Sequence, residues 1–332
     1  MRAFSFKRAV DPADAVRSHG GTRDSRFIAG GTNLIDLMKE GVDQPSALVD
    51  ISRLALSVVR PVPGGGVSIG ALAKNTDTAN HPLIRQNYPL LAQAILAGAS
   101  PQIRNMATNG GNLMQRTRCH YFYDLATPCN KRNPGSGCSA KEGLNRYHAI
   151  LGWSDSCIAV NPSDMCVALA ALDAVVKVQG ANGRERSIQF ADFHRLPAES
   201  PERDNNLAHG ELITAIELPR SPFAAKSHYL KVRDRASYAF ALVSIAAALE
   251  TASNGTIKQA RIALGGVAHK PWRAVEVEHF LSGKRPTEQV FAEAGEIAMR
   301  QARPHKENAF KVPLAQRSIA RALIYAADGG AK

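Results

Sequence analysis

The chain has 332 residues, 45% of them hydrophobic, enough for two or three packed units and too apolar for wholesale disorder. Its formal net charge of +12 raises nucleic-acid binding as a class. However, the basic residues are spread along the chain, with no Lys/Arg run interleaved with aromatics, so a basic surface or a docking face for acidic partners accounts for them better. No apolar run reaches the roughly 18 residues that span a bilayer, and the start, Met1 to Lys7, lacks the apolar stretch of a secretory signal.

In chain order, Phe27-Ile28-Ala29 reads as a short strand, followed by Gly30-Gly31 and a helix from Asn33 to Lys39 closed by Gly41. Ala47 to Ile51 and Val67 to Leu72 read as strands, Tyr88 to Ala99 as an apolar helix, and Gly110-Gly111-Asn112 as a loop. Arg116 to Trp153 is polar, aromatic and basic, broken by Pro128, Pro134, Gly135 and Gly137. So long a segment without regular structure needs a function or a staple. Pro162-Ser163-Asp164 starts a helix through Leu172. Val175 to Val178, Asn182-Gly183 and Arg186 to Phe190 form a hairpin pattern. Beyond Ser221-Pro222, strands are expected at Tyr229 to Val232, Ala241 to Glu250 and Thr256 to Leu264. Helices are expected at Arg273 to Leu281, Thr287 to Arg303 and Pro313 to Ala327. That order describes an α+β unit with helices on one face of a three-stranded antiparallel sheet.

Three constellations carry chemistry. Ala29-Gly30-Gly31-Thr32-Asn33-Leu34 lets the backbone approach a ligand and aims N–H groups and a helix N-terminus at it, which suits a pyrophosphate. Thr108-Asn109-Gly110-Gly111-Asn112-Leu113 offers a second set of amides, and two such loops can grip one dinucleotide. Taken singly, each is also an ordinary turn. No G-x-G-x-x-G follows a strand and no G-x-x-x-x-G-K-[ST] occurs, which excludes Rossmann and P-loop sites. The five cysteines all lie between Cys119 and Cys166. Cys119, Cys129, Cys138 and Cys157 are separated by nine, eight and eighteen residues. This spacing leaves zinc, an iron–sulfur cluster and free thiols all open. Cys166 sits in an apolar helix as a core thiol, and His120 reads as a surface histidine.

Taken together, these motifs resemble the flavin subunits of the molybdenum hydroxylases, the family of xanthine dehydrogenase, aldehyde oxidoreductase and carbon monoxide dehydrogenase. The likeness is carried by Ile28 to Leu34, Gln102-Ile103-Arg104-Asn105, Thr108 to Leu113 and Pro162-Ser163-Asp164. Gly210-Glu211-Leu212-Ile213 with Leu218-Pro219, and Leu264 to Ala268 with Pro271-Trp272-Arg273, complete it. The resemblance implies an FAD-binding fold of the vanillyl-alcohol-oxidase (PCMH) type in two subdomains, 1–55 and 56–222, with a C-terminal domain at 223–332. It implies that Arg26, Phe27, Ile28, Ala29, Gly30, Gly31, Thr32, Asn33 and Leu34 wrap the pyrophosphate. Thr108, Gly111 and Asn112 would contact the phosphates and ribitol, Asp164 a sugar hydroxyl, Leu212 the adenine, and Lys231 the flavin's surroundings. Tyr238 is a looser candidate at the isoalloxazine ring.

The family passes directly from the Gly-Gly-Asn loop to the Pro-x-Ser-Asp helix, whereas this chain inserts about forty residues, at about 115–160. Arg116 to Tyr123, Pro128 to Arg132 and Pro134 to Cys138 are similar to a subgroup of periplasmic aldehyde oxidoreductases whose flavin subunit holds a [4Fe–4S] cluster. The resemblance therefore implies Cys119, Cys129, Cys138 and Cys157 as ligands, with Arg116, Arg118, Lys131 and Arg132 offsetting the cluster's charge. It also implies a heterotrimer with a small [2Fe–2S] subunit and a large molybdenum-cofactor subunit, electrons leaving FAD for an external acceptor, and export on a partner's signal. No residue is placed as a catalytic base for aldehyde oxidation. A free-standing flavoprotein oxidase and a basic nucleic-acid-binding protein with structural zinc are the alternatives.

Overall fold

The computed structural model describes residues 1–22 and 24–329. Their strands form three sheets. The first is parallel: β1 (Ser5–Arg8) and β2 (Ser25–Ile28) flank β3 (Ala47–Asp50), pairing Phe6 with Leu48 and Phe27 with Val49. Parallel strands need crossovers, and the helices Pro12–Gly20 and Leu34–Lys39 supply them. Asp11 caps the first of these by accepting from Asp14 N–H, with Pro12 at its first position. Gly41, at φ +74°, ends the second in the left-handed region.

The second sheet is antiparallel, in the order β4 (Val59–Val62), β5 (Gly66–Gly70), β8 (Leu212–Leu218), β6 (Val175–Gln179), β7 (Glu185–Gln189). Asn182 and Gly183 both take positive φ in the β6–β7 turn, as an Asn-Gly hairpin requires. Phe190, expected at the end of that strand, instead opens a short helix, Phe190–Phe193, where its ring is buried. The helices Pro89–Ala97 and Asp164–Ala171 share one core with this sheet. Every residue of the latter is buried, because Ala246, Ala248 and Ala263 of the third sheet enclose its other side. Cys166 is fully buried there, and burial pushes its thiol up to about 12.

The third sheet corrects an expectation. It has four strands, ordered β12 (Trp272–Arg273), β11 (Ile257–Gly265), β10 (Val243–Thr251), β9 (Ser227–Val232). The added strand is only two residues long, too short to leave a period-two pattern. Helices Val275–Leu281, Glu288–Ala298 and Lys311–Ala327 cover the sheet over a separate core. Gly110-Gly111-Asn112, expected as a loop, lies inside a five-residue helix, Asn109–Leu113, capped by Thr108 through a bond from Gly111 N–H.

The insertion has little regular structure beyond the one-turn helix His120–Tyr123, and it is stapled on both sides. The Lys131 ammonium is buried against Pro201 O and Asp204, and Arg116 pairs with the same carboxylate at 2.7 Å. On the C-terminal side, Ile150 and Leu151 donate to Val267 O, Asn145 exchanges bonds with Glu307, and Trp153 Nε1–H donates to Arg303 O at 2.7 Å.

Candidate functional site

A cavity of about 660 Å³ opens where the units built on the three sheets meet the insertion. From the loop after β2 it takes Thr32 and Asn33, from the short helix Gly111 and Asn112, and from the start of the buried helix Ser163 and Asp164. Arg104, Arg118, Tyr238 and Phe240 also line it.

The first glycine loop is built for close approach. A Cβ on Gly30 would stand 2.1 Å from Met106 O, so no other residue fits against that backbone. Gly31 takes φ +71°. Among the described residues, the N–H groups of Gly30, Gly31, Thr32 and Asn33 find no partner in the chain. Asn33 Oδ1 accepts from Arg116 N–H at 2.9 Å, leaving Asn33 Nδ2 buried and unpartnered. Arg104 Nε and Arg118 Nε are likewise buried without acceptors. Such a collection of unmet donors around one cavity matches a ligand rich in anionic and carbonyl oxygens, and the residues therefore fit the phosphates of FAD.

Asn112 is rigidly held. Its Nδ2 donates to Asn75 Oδ1 at 3.0 Å, while its Oδ1 accepts from Ser163 Oγ and Gln115 Nε2. Asn75 in turn donates to Asn109 Oδ1, which links the cavity wall to the core. Asp164 accepts from Tyr229 Oη and Lys231 Nζ, both at 2.8 Å, one on each oxygen. Burial, with the Asp164 charge beside it, holds the Tyr229 phenol well above its usual range. Lys231 also donates to Ala97 O.

The structure thus brings Thr32, Asn33, Gly111, Asn112 and Asp164 to the cavity. Lys231 stands behind the wall and reaches the cavity only through Asp164. Arg26 pairs with Asp43 at 3.0 Å, Phe27 stacks on His19 at 4.2 Å, and Ile28 and Ala29 belong to the strand and its exit. Leu34 begins the helix, Thr108 serves as a cap, and Leu212 is buried in the core of the first sheet. Among the lining residues that escaped the sequence reading as ligand groups are Asn75, in a segment with no motif, Phe240, beside a charged run, and His148, within the insertion. Tyr238 lines the mouth with φ +52° and its ring exposed. Its loop is tied to the insertion by Arg146 and Tyr147, which bond the two oxygens of Asp234 at 2.9 and 2.8 Å.

Next to this cavity lies a small cage lined by all four cysteines of the insertion, Cys119, Cys129, Cys138 and Cys157, with Lys131. Cys129 and Cys138 face each other across a two-stranded bridge, turned by Gly135 (φ +87°) and Gly137 (φ +101°). Burial pushes the Cys119 thiol up to about 12 and that of Cys157 up to about 11, with neighbouring cysteines adding to each. Among the described residues, no three Cys, His, Asp or Glu side chains stand close enough to hold a single metal ion.

A parallel α/β unit and an antiparallel unit that close on a donor-rich cavity through glycine loops define a dinucleotide flavoprotein without a Rossmann site. The chain belongs to the FAD-binding subunits of the molybdenum hydroxylases. Residues 2–221 match the family described as FAD binding domain in molybdopterin dehydrogenase, and residues 228–326 the CO dehydrogenase flavoprotein C-terminal domain. The aldehyde oxidoreductase FAD-binding subunit PaoB of Escherichia coli is 48% identical over 328 residues, 98% of this chain and 99% of that one. The glyceraldehyde dehydrogenase medium chain of Sulfolobus acidocaldarius is 32% identical over 85% of this chain and 82% of its own. Among solved structures, quinoline 2-oxidoreductase from Pseudomonas putida superposes with a TM-score of 0.76 at 24% identity, covering 98% of each chain. Among the described residues, no helix is long and apolar enough to cross a membrane.

Proposed function

We propose that this chain is the electron-transferring subunit of a heterotrimeric aldehyde oxidoreductase, carrying FAD in the large cavity and a [4Fe–4S] cluster in the cysteine cage. The partners are a small [2Fe–2S] subunit and a large subunit with molybdenum cofactor, where aldehyde becomes acid. Electrons pass to FAD and on to an external acceptor. When bound, FAD supplies the change from one-electron to two-electron traffic. The chain's own residues hold it: Gly30 to Asn33 offer N–H groups to the pyrophosphate, Arg104 and Arg118 add charge, and Asp164 and Asn112 fix the wall beside the sugar and ribitol. The whole-length identity to PaoB supports the aldehyde reading.

The division into 1–55, 56–222 and 223–332 belongs to the same reading, supported by one sheet in each segment, with 330–332 outside the described residues. So does export of the assembled complex to the periplasm on a partner's signal.

The observation that carries the cluster is the convergence of four cysteines, distant in sequence, on one cage beside the flavin cavity. Its test is flavin and metal analysis of the complex co-expressed with both partners, followed by EPR. Roughly four irons assigned to this subunit and lost in Cys129→Ser support the reading. Zinc in their place overturns the cluster, and absence of flavin overturns the whole.

A further inference from the structure

Thr117 and Cys119 line both the flavin cavity and the cysteine cage, so the two share a wall. His148 stands at that wall. It lines the larger cavity, is buried, and holds its Nε2 3.1 Å from Cys119 Sγ. Its Nδ1 has no partner among the described residues; beside a thiolate, which can only accept, the ring carries its proton on Nε2, facing sulfur.

The His148 backbone is held from outside the insertion as well as within it. His148 O accepts from Lys311 Nζ at 2.9 Å and from Asn308 Nδ2 at 3.2 Å, and both donors are fully buried residues next to or within the last helix. His148 N–H donates to Asn145 O at 3.0 Å. Among the described residues, the His148 contact is the shortest hydrogen-bond contact to a sulfur of the cage. By comparison, Cys157 Sγ accepts from Ala159 N–H at a longer 3.5 Å. The cage is therefore asymmetric, with its shortest donor contact on the cysteine that also lines the flavin cavity.

We propose that His148 is a positioning residue for the cluster, donating Nε2–H to the Cys119 thiolate and thereby raising the cluster's reduction potential. This rests on the cluster assigned above. A hydrogen-bonded thiolate gives less charge to its iron, so the added electron is better tolerated. Because Cys119 also forms the flavin cavity's wall, the effect acts on the side of the cluster nearest the flavin.

The test uses the complete complex with His148→Phe and His148→Gln, whose amide keeps an N–H donor. Iron and flavin contents are measured first, then the cluster's midpoint by EPR-monitored redox titration. The expected result is undiminished iron in both variants, a midpoint shifted negative in His148→Phe, and a smaller shift in His148→Gln. Full iron with an unmoved midpoint in His148→Phe overturns the proposal, as does loss of iron from both variants, which makes His148 a ligand or a purely structural group. Should His148→Phe not fold, pulsed EPR of the reduced wild-type complex with ¹⁵N-histidine decides. A weak nitrogen coupling supports the bond, whereas none, or one of direct-ligand strength, refutes it. A wild-type complex without iron removes the cluster itself, a failure separate from all of these.

Discussion

Asp164 shows how far a residue's role can be read from its neighbours in sequence. The run Pro162-Ser163-Asp164 announces a helix start, and the resemblance adds a sugar-binding carboxylate. In the structure Ser163 takes the capping bond from Cys166 N–H, which frees Asp164 to face Tyr229 and Lys231. Its partner Lys231 lies on β9, 67 residues away, so no local pattern could announce the pair. Both side chains are almost fully buried, at 3% and 7% exposure, so solvent screens the pair little. Asp164→Asn leaves a buried ammonium without its counter-charge, at a cost of about 3–5 kcal/mol. Urea denaturation should show this as a lower midpoint with unchanged slope, and bound flavin should fall because the cavity wall loses its anchor. A midpoint within error of the wild type would show that the pair stabilises nothing. Gly30 offers a sharper case. With a Cβ overlapping Met106 O, Gly30→Ala must separate the glycine loop from the helix Pro101–Met106, a strain of roughly 1–3 kcal/mol. Flavin content measured by absorbance should drop by more than the stability does, because the unmet N–H groups of this loop move with it.

At the level of elements, most of the fold was legible where period and punctuation agree. The helix Leu34–Lys39, the Asn-Gly hairpin and the two long strands β10 and β11 fall within a few residues of their expected limits. β1 and β4 were not read, since each is four residues long and largely exposed. The insertion is the instructive element. Its cysteines were legible as a group, but spacing alone could not separate zinc, cluster and free thiols. What holds the insertion was hidden, because the decisive partner, Asp204, lies 73 residues beyond Lys131 in a stretch without a motif. Lys131 and Arg116 keep the Asp204 carboxyl far below the usual range against the opposing effect of burial. This pairing also explains part of the basic surplus without nucleic acid: those cations are spent internally. Asp204→Ala strands a Lys131 side chain that is only 1% exposed, and should cost about 3–5 kcal/mol. The insertion should detach first, seen as faster amide exchange across 116–157 and a loss of iron, with the three sheets still protected. Uniform deprotection of the whole chain would instead make Asp204 a general core group.

Across the whole molecule, the cavity exists only where three sheets and the insertion meet, which is why its lining could be read from sequence only in fragments. The same junction buries histidines that the sequence gives no reason to single out. His194 packs against Phe190 and Phe193 with Nε2 on Leu113 O, and His269 lies beside Asp204 with Nδ1 on Arg195 O. Burial lowers each to about 4, with the Lys131 charge adding to the effect on His269. In the unfolded chain both return to about 6.5. Between pH 6.5 and 4 the unfolded chain therefore binds more protons than the folded one, and stability rises with pH through that window. Each histidine adds roughly 1.4 kcal/mol per pH unit where its two forms differ fully. Above pH 6.5 both are neutral in either state and their contribution is flat. The urea midpoint should therefore fall steeply from about pH 6.5 toward pH 4. His194→Gln should flatten the slope by about one proton, because a glutamine can keep the bond to Leu113 O without titrating. An acid slope identical in wild type and variant would place the proton uptake on other histidines that burial lowers to about 4, such as His269 and His19. Asp204 acts only below that window, where the unfolded carboxyl takes up its proton and the folded one, held lower by Lys131 and Arg116, does not.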